Sequence, residues 1–234
     1  MPLVELKITA KGEKILIDVL LPVFGKPIER EYEGWLVRGI EKYFQELGIF
    51  AVVWAVSPNV ESTWPADEHL YTSGKIIGLQ MKKASLGIRK NSNPDFTDLH
   101  WDLHNPKGQF ELIQKTNEIY YCLPTFINRK WRDKALEHCI FWRPTIDLNY
   151  NLWYDNPRIK NNPYSKISIH PNALRWGYFY EKVMACDIGV RLSMDFTPYN
   201  YLSNLRRSII QELRLIEQME ENITRGLYLI YLNI

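Results

Sequence analysis

Short β-branched or aromatic runs of strand length alternate along this chain with stretches of helical period, and that alternation constrains the fold more than any other feature. FAVVWAV (50–56), KIIGLQMK (75–82), EIYYCLP (118–124), EHCIFW (137–142) and IGVRLSM (188–194) read as strands. Between them, Trp35, Leu36, Ile40, Tyr43, Phe44 and Leu47 recur at helical spacing before Gly48, a natural helix stop. QFELIQKT (109–116), NRKWRDKAL (128–136) and ALRWGYFYEKVMA (173–185) read as further helices. Helices and strands interleaved in this way predict an α/β fold, a mixed central β-sheet flanked by helices.

At 234 residues the chain is read as a single domain, 1–234, with an N-terminal hairpin and a C-terminal helical elaboration. The hairpin is LVELKITAKGEKILIDVLL, which alternates apolar and polar residues around Lys11-Gly12-Glu13. The elaboration is a long apolar stripe through Leu202, Leu205, Ile209, Leu213, Ile216 and Ile223, read as core packing, with Arg206, Arg207 and Arg214 off it. Residues 91–108 and 149–172 have loop composition, and the first of these is the best candidate for a mobile flap. Hydrophobic residues at 46% and 8 Trp with 14 Tyr describe a chain that buries a core. No apolar run reaches the roughly 20 residues that cross a bilayer, and Cys122, Cys139 and Cys186 form neither a zinc nor a disulfide pattern. These features predict a soluble cytoplasmic protein with reduced thiols and no membrane partner. A formal charge of +2 neither requires nor excludes a polyanion.

The chemistry concentrates between Asp67 and Lys83, which reads as a hairpin: Glu68–Tyr71, a turn at Thr72-Ser73-Gly74, and KIIGLQMK. Strand side chains alternate, so Ile77, Leu79 and Met81 face a core while Gly78, Gln80 and Lys82 face the other way. Asp67 then falls beside Gln80 and Lys82, and Glu33 from the first helix supplies a second carboxylate. Oxygen donors beside a cation are what phosphodiester hydrolysis needs, with a divalent ion to polarise the phosphate and activate water. Glu68 points to the opposite face of a regular strand and ranks lower. The competing reading is a solvated edge strand, where Gln and Lys are common.

The order of Glu33 on a helix, a strand, Pro65-Ala66-Asp67, a turn, an apolar strand ending Gln80-Met81-Lys82, a helix and a strand resembles the PD-(D/E)XK nuclease superfamily over about residues 29 to 125. The resemblance implies a restriction endonuclease-like sheet, Asp67 and Gln80 (with Glu33) as ligands of Mg2+ or Mn2+, and Lys82 orienting water or countering charge. Gln80 stands where an acidic residue is usual, as in Mrr-type enzymes; its amide oxygen can coordinate but brings no negative charge. The expected activity is DNA cleavage, and double-strand cutting would favour a two-fold dimer. The alternative from another class is a nuclease-like module that binds nucleic acid or a protein partner without cutting.

Weaker candidates surround this centre. Gln114 and Tyr120 occupy positions that help hold nucleic acid in some members of the superfamily, against a plain core role. Arg129, Lys130 and Arg132, interleaved with Trp131, form a basic stretch able to meet phosphates, or a solvated face. His100 and His104 in HWDLH have the spacing of a helical zinc pair, but loop composition and the lack of an HExxH glutamate make them flap residues that touch substrate. His138 and Cys139, adjacent on a strand, point to opposite faces and do not form a nucleophile pair.

Overall fold

A computed structural model describes residues 4–8, 13–17, 27–55, 74–86, 99–103, 109–144, 173–192 and 226–233. Strands β1 (Val4–Ile8) and β2 (Glu13–Ile17) pair antiparallel with Val4 opposite Ile17, the arrangement expected of the N-terminal alternation. Helix α1 runs from Glu29 to Glu46 and buries Tyr32, Leu36, Ile40 and Phe44, one side chain every fourth residue. Its first turn is held by Glu31, whose carboxylate accepts from the Ile28 N–H at 2.9 Å and complements the positive helix end. It stops as Gly48 adopts φ +71°, a conformation that costs a glycine little.

The central sheet has the order β3 (Phe50–Ala55), β10 (Leu227–Asn233), β4 (Gly74–Met81), β7 (Ile119–Pro124), β8 (Cys139–Trp142). β9 (Val190–Leu192) lies beside the first half of β4. β10 is antiparallel to both neighbours, β4 and β7 are parallel, and helix α2 (Gln109–Lys115) falls between those two in the chain. The architecture is therefore a mixed α/β sheet. A small antiparallel pair, β5 (Ser85–Leu86) and β6 (Leu99–His100), stands apart from it.

Two expectations change. The proposed partner of KIIGLQMK, Glu68–Tyr71, lies outside the described residues, and both edges of β4 along Gly74–Met81 are already taken. β10 fills one edge, and β9 followed by β7 fills the other. The reading of 128–136 as an α-helix also gives way, because Arg129–Lys134 is a 3-10 helix. The Asn128 side chain accepts from the Lys130 N–H at 3.0 Å, which starts a tight turn, and no residue of the turn itself is buried to sustain a longer helix. The apolar stripe from Leu202 to Ile223 lies outside the described residues.

Both faces of the sheet are covered. Ile77, Leu79 and Met81 join Cys122, Phe141, Ile230 and Leu232 beneath α1 and α3 (Trp176–Met184), whose Trp176, Phe179 and Val183 complete that core. On the other face Gly78 packs so tightly on Ile119 that an added Cβ would stand 2.7 Å from Ile119 Cγ1. There Tyr121 donates its hydroxyl to Leu103 O at 2.9 Å, and nearby Trp101 donates its indole N–H to Pro124 O at 2.8 Å. Burying both faces explains why β4 reads as a near-continuous apolar run. At the outer edge, the Glu41 carboxylate accepts from the Val53 N–H at 3.2 Å, which caps one backbone donor of β3. Among the described residues, no helix is long and apolar enough to cross a membrane.

Candidate functional site

β4 delivers Gln80 and Lys82 to its C-terminal end, where both are buried, 1% and 4% exposed. The register sets this depth: Gln80 lies between Leu227 of β10 and Tyr121 of β7. One residue past the strand, the Lys82 N–H still donates to Cys122 O at 3.2 Å, so the backbone there stays fixed against β7. Burying an amide and an amine without polar neighbours is costly. Gln80 Nε2 lies 3.4 Å from Met81 O, a long contact.

Glu33 arrives from the first half of α1, and Tyr228 of β10 donates its hydroxyl to Glu33 Oε2 at 2.9 Å. Burial, followed by the nearby Glu33 carboxylate, pushes the Tyr228 phenol well above its ordinary pKa, so it remains a donor through neutral pH. Gly226, just before β10, has φ +73°, and its N-terminal placement brings three polar atoms together. A Cβ there would lie 2.9 Å from Gln80 Nε2, 3.1 Å from Met81 O and 3.4 Å from Glu33 Oε1. With no side chain, Gly226 lets an amide, a carbonyl and a carboxylate pack close against its backbone. The Gln80 amide nitrogen faces the Met81 carbonyl there, to which it donates.

A groove of about 690 Å³ runs along α1, lined among others by Glu33, Gly34, Val37, Arg38, Gly226 and Tyr228. Arg30, also in its wall, and Arg38 are exposed, while Glu33 and Glu41 are engaged by Tyr228 and by the β3 backbone. Gly34 between the two arginines has open space where a side chain would stand.

The remaining sequence candidates fall in different places. Asp67, Glu68 and His104 lie outside the described residues. His100 is in β6 opposite Ser85. Gln114 is half-buried on α2, and Tyr120 packs edge-on against Phe179 at 5.3 Å, on the α3 side of the sheet. Arg129 forms a two-point ion pair with Glu31 at 2.7 and 2.8 Å, and that contact holds the Glu31 carboxyl below its usual pKa. Lys130 lies over the Trp131 ring at 5.0 Å, and Arg132 meets Asp133 at 3.4 Å. The structure therefore brings Glu33 and Gln80 together at the end of β4, while Tyr120 packs on Phe179 and Arg129 is engaged by Glu31. His138 packs on Trp131, while Cys139 is buried beside Cys122, where burial raises its pKa; none of the three cysteines is in a disulfide.

Tyr228 and Gly226 are the contributors that the sequence reading passes over. Their signal is LYLIYL (227–232), a strand-length apolar and aromatic run directly after a glycine. Among the described residues no three His, Cys, Asp or Glu side chains converge as a metal cluster. Around Gly226 stand one carboxylate, one amide nitrogen and one carbonyl, and of these Glu33 is the anionic oxygen donor. Compared with known proteins, the chain matches no family model, no curated protein and no solved structure.

Proposed function

We propose that this protein is a cytoplasmic, restriction endonuclease-like nuclease that hydrolyses DNA phosphodiester bonds at a site built on Glu33, Gln80 and Lys82 and completed by Asp67. One observation carries the reading: Glu33 and Gln80, from segments far apart in the chain, converge on the same glycine at the end of β4. The parallel β4–β7 pair with α2 between supports it, because that order and direction agree with the arrangement the Gln80-Met81-Lys82 motif resembles.

Glu33, Gln80 and Asp67 would hold Mg2+ or Mn2+, which supplies Lewis acidity toward a phosphoryl oxygen and makes water more acidic. Lys82 contributes a positive charge two residues from Gln80, suited to orient the attacking water or offset charge on the phosphate. Along the groove, Arg30 and Arg38 are eight residues apart on α1, roughly 12 Å, a span over which a strand can present successive phosphates. Cutting of both strands of a duplex would use two copies related by a two-fold axis.

The test is cleavage of plasmid DNA with Mg2+ or Mn2+. Asp67→Ala and Lys82→Ala each abolish metal-dependent cutting while the melting temperature stays close to that of the parent. Undiminished cutting by either variant removes the assignment.

A second reading, a module that binds nucleic acid or a protein partner without cutting, draws on the depth of Gln80 and Lys82 and on the missing charge at Gln80. Calorimetry separates the two: under this reading there is no uptake of Mg2+ or Mn2+ that depends on Asp67.

A further inference from the structure

We propose that the outer side of the helical layer, where α1 and the 3-10 turn Arg129–Lys134 lie side by side, is a docking surface for the phosphate backbone of duplex DNA. The inference names a surface for the DNA of the reading above, and it stands or falls separately from the cleavage site.

Packing sets the two elements in register. Arg129 pairs with Glu31 at one end, and at the other Gly39 lets Leu136 come so near that an added Cβ would stand 3.2 Å from Leu136 Cβ. Ala135 and Leu136 enter the same core as Leu36 and Ile40, so the turn covers the same face of the sheet as α1. The two therefore run side by side from Glu31 to Gly39, a length of about 12 Å. Gly34, Arg38 and Lys42 follow at four-residue steps and share one exposed helix face, away from the buried Leu36 and Ile40. Beside that row the turn exposes Lys130, Arg132 and Lys134.

The chemistry of this surface suits a polyanion. Its five cations outnumber the exposed carboxylates of Glu46, Asp133 and Glu137 around them. Two of those carboxylates stand in exposed pairs, Lys42 with Glu46 at 3.7 Å and Arg132 with Asp133 at 3.4 Å. Pairs of that kind contribute little, so a phosphate can take the place of the carboxylate. Lys130 is ordered over the Trp131 ring at 5.0 Å. Gly34 has open space where a Cβ would stand, so a sugar-phosphate strand can lie close to the helix. Charge density favours a duplex as the occupant: it carries about seven phosphates over about 12 Å of axis. An extended acidic peptide spans that length with only about four residues.

The experiment is fluorescence anisotropy of a short labelled DNA duplex with the full chain, without divalent metal, over a series of salt concentrations. The proteins are the parent, Lys42→Ala, Lys130→Ala, Lys134→Ala and, as a control, Lys115→Ala, which changes an exposed lysine of α2 that is not part of this surface; each is also melted. Each surface variant is expected to lose one phosphate contact, which weakens binding roughly eightfold at about 0.1 M salt and reduces the slope of log affinity against log salt by about 0.9. Lys115→Ala is expected to bind as the parent does, and all variants to melt close to it. Parental affinity and slope in all three surface variants, or no binding of the duplex by the parent, overturn the surface; plasmid cleavage by the parent then leaves the nuclease reading standing. A loss in Lys115→Ala equal to theirs overturns it as well, because the effect is then net charge alone. The same slope changes with poly-glutamate in place of the duplex overturn the assignment to DNA. Salt-dependent binding through these lysines by a parent that cuts no plasmid supports the surface and overturns the cleavage reading instead.

Discussion

The two ends of β4 each bury a lysine, and they do so for different reasons. At the first end Lys75, 1% exposed, donates through Nζ to Val183 O in the last turn of α3, where the helix presents unsatisfied carbonyls and negative polarity. The turn after α3 closes over it. Cys186 takes φ +64° at the position where helices usually place glycine, and Gly189, at φ +91°, comes so near that a Cβ would meet Lys75 Cδ at 3.0 Å. At the other end Lys82, 4% exposed, follows two residues after Gln80, whose amide approaches Gly226 together with the Glu33 carboxylate. A buried cation alone therefore does not mark a site. What distinguishes the second end is that Gln80 and Glu33 approach one glycine, beside a groove lined by Glu33, Gly226 and Tyr228.

The largest expected effect tests that distinction directly. Lys82→Ala should reduce Mn2+-dependent cleavage by roughly a hundredfold or more, the scale for removing a charge-stabilising group, and Lys75→Met should leave cleavage unchanged. Comparable losses in a nicking assay would erase the contrast. Stability should show the reverse order. Lys75→Met removes a hydrogen bond from a charged donor to Val183 O, which keeps the Cys186 N–H at 3.2 Å, and should cost about 1–3 kcal/mol in urea unfolding. Gly226→Ala comes next, at about 1–2 kcal/mol from its positive φ, with Gln80 also crowded. Gly48→Ala, at φ +71° but with nothing near, calibrates the backbone part. If the two alanine variants unfold alike and bind Mn2+ alike, the close packing of Gln80 and Glu33 on Gly226 has no bearing on the proposed site.

The smallest effect is read by thiol chemistry at the first end. Hydrogen bonding to Lys75, with its charge and that of Arg191, holds the exposed Cys186 thiol below the ordinary cysteine range. A depressed pKa means more thiolate at pH 7, so iodoacetamide should modify Cys186 ahead of the buried Cys122 and Cys139. Lys75→Met should move the midpoint of the alkylation profile to higher pH and slow the reaction at pH 7. An unmoved profile would mean that Lys75 does not reach the thiol in solution.

Local pattern made most of the elements legible. Leu36, Ile40 and Phe44 mark α1 by period, and the apolar runs of β7 and β8 stand where their β-branched and aromatic residues predict. Pairing was less legible, because it depends on residues far apart in sequence. KIIGLQMK carries no local sign that its neighbour is LYLIYL rather than Glu68–Tyr71, and either antiparallel partner satisfies the same alternation. The same limit hid Tyr228 as the donor to Glu33. Gln80 and Lys82 stand out in sequence as polar residues ending an apolar strand, whereas Lys75 at the start of that run reads as an ordinary flanking charge; the structure buries all three.

The position of β10 also bears on how the chain reaches this state. β3 and β4 do not touch as neighbours; residues 227–233 must insert between them, and each pairing closes a loop of well over a hundred residues. Loop-closure entropy grows only slowly with length, yet such distant contacts slow folding, since the loss is borne before the pairing is complete. Until insertion, the edges of β3 and β4 that β10 will occupy lack that partner, and such edges are where chains add to one another. The pairing that covers those two edges is also the pairing that brings Tyr228 to Glu33.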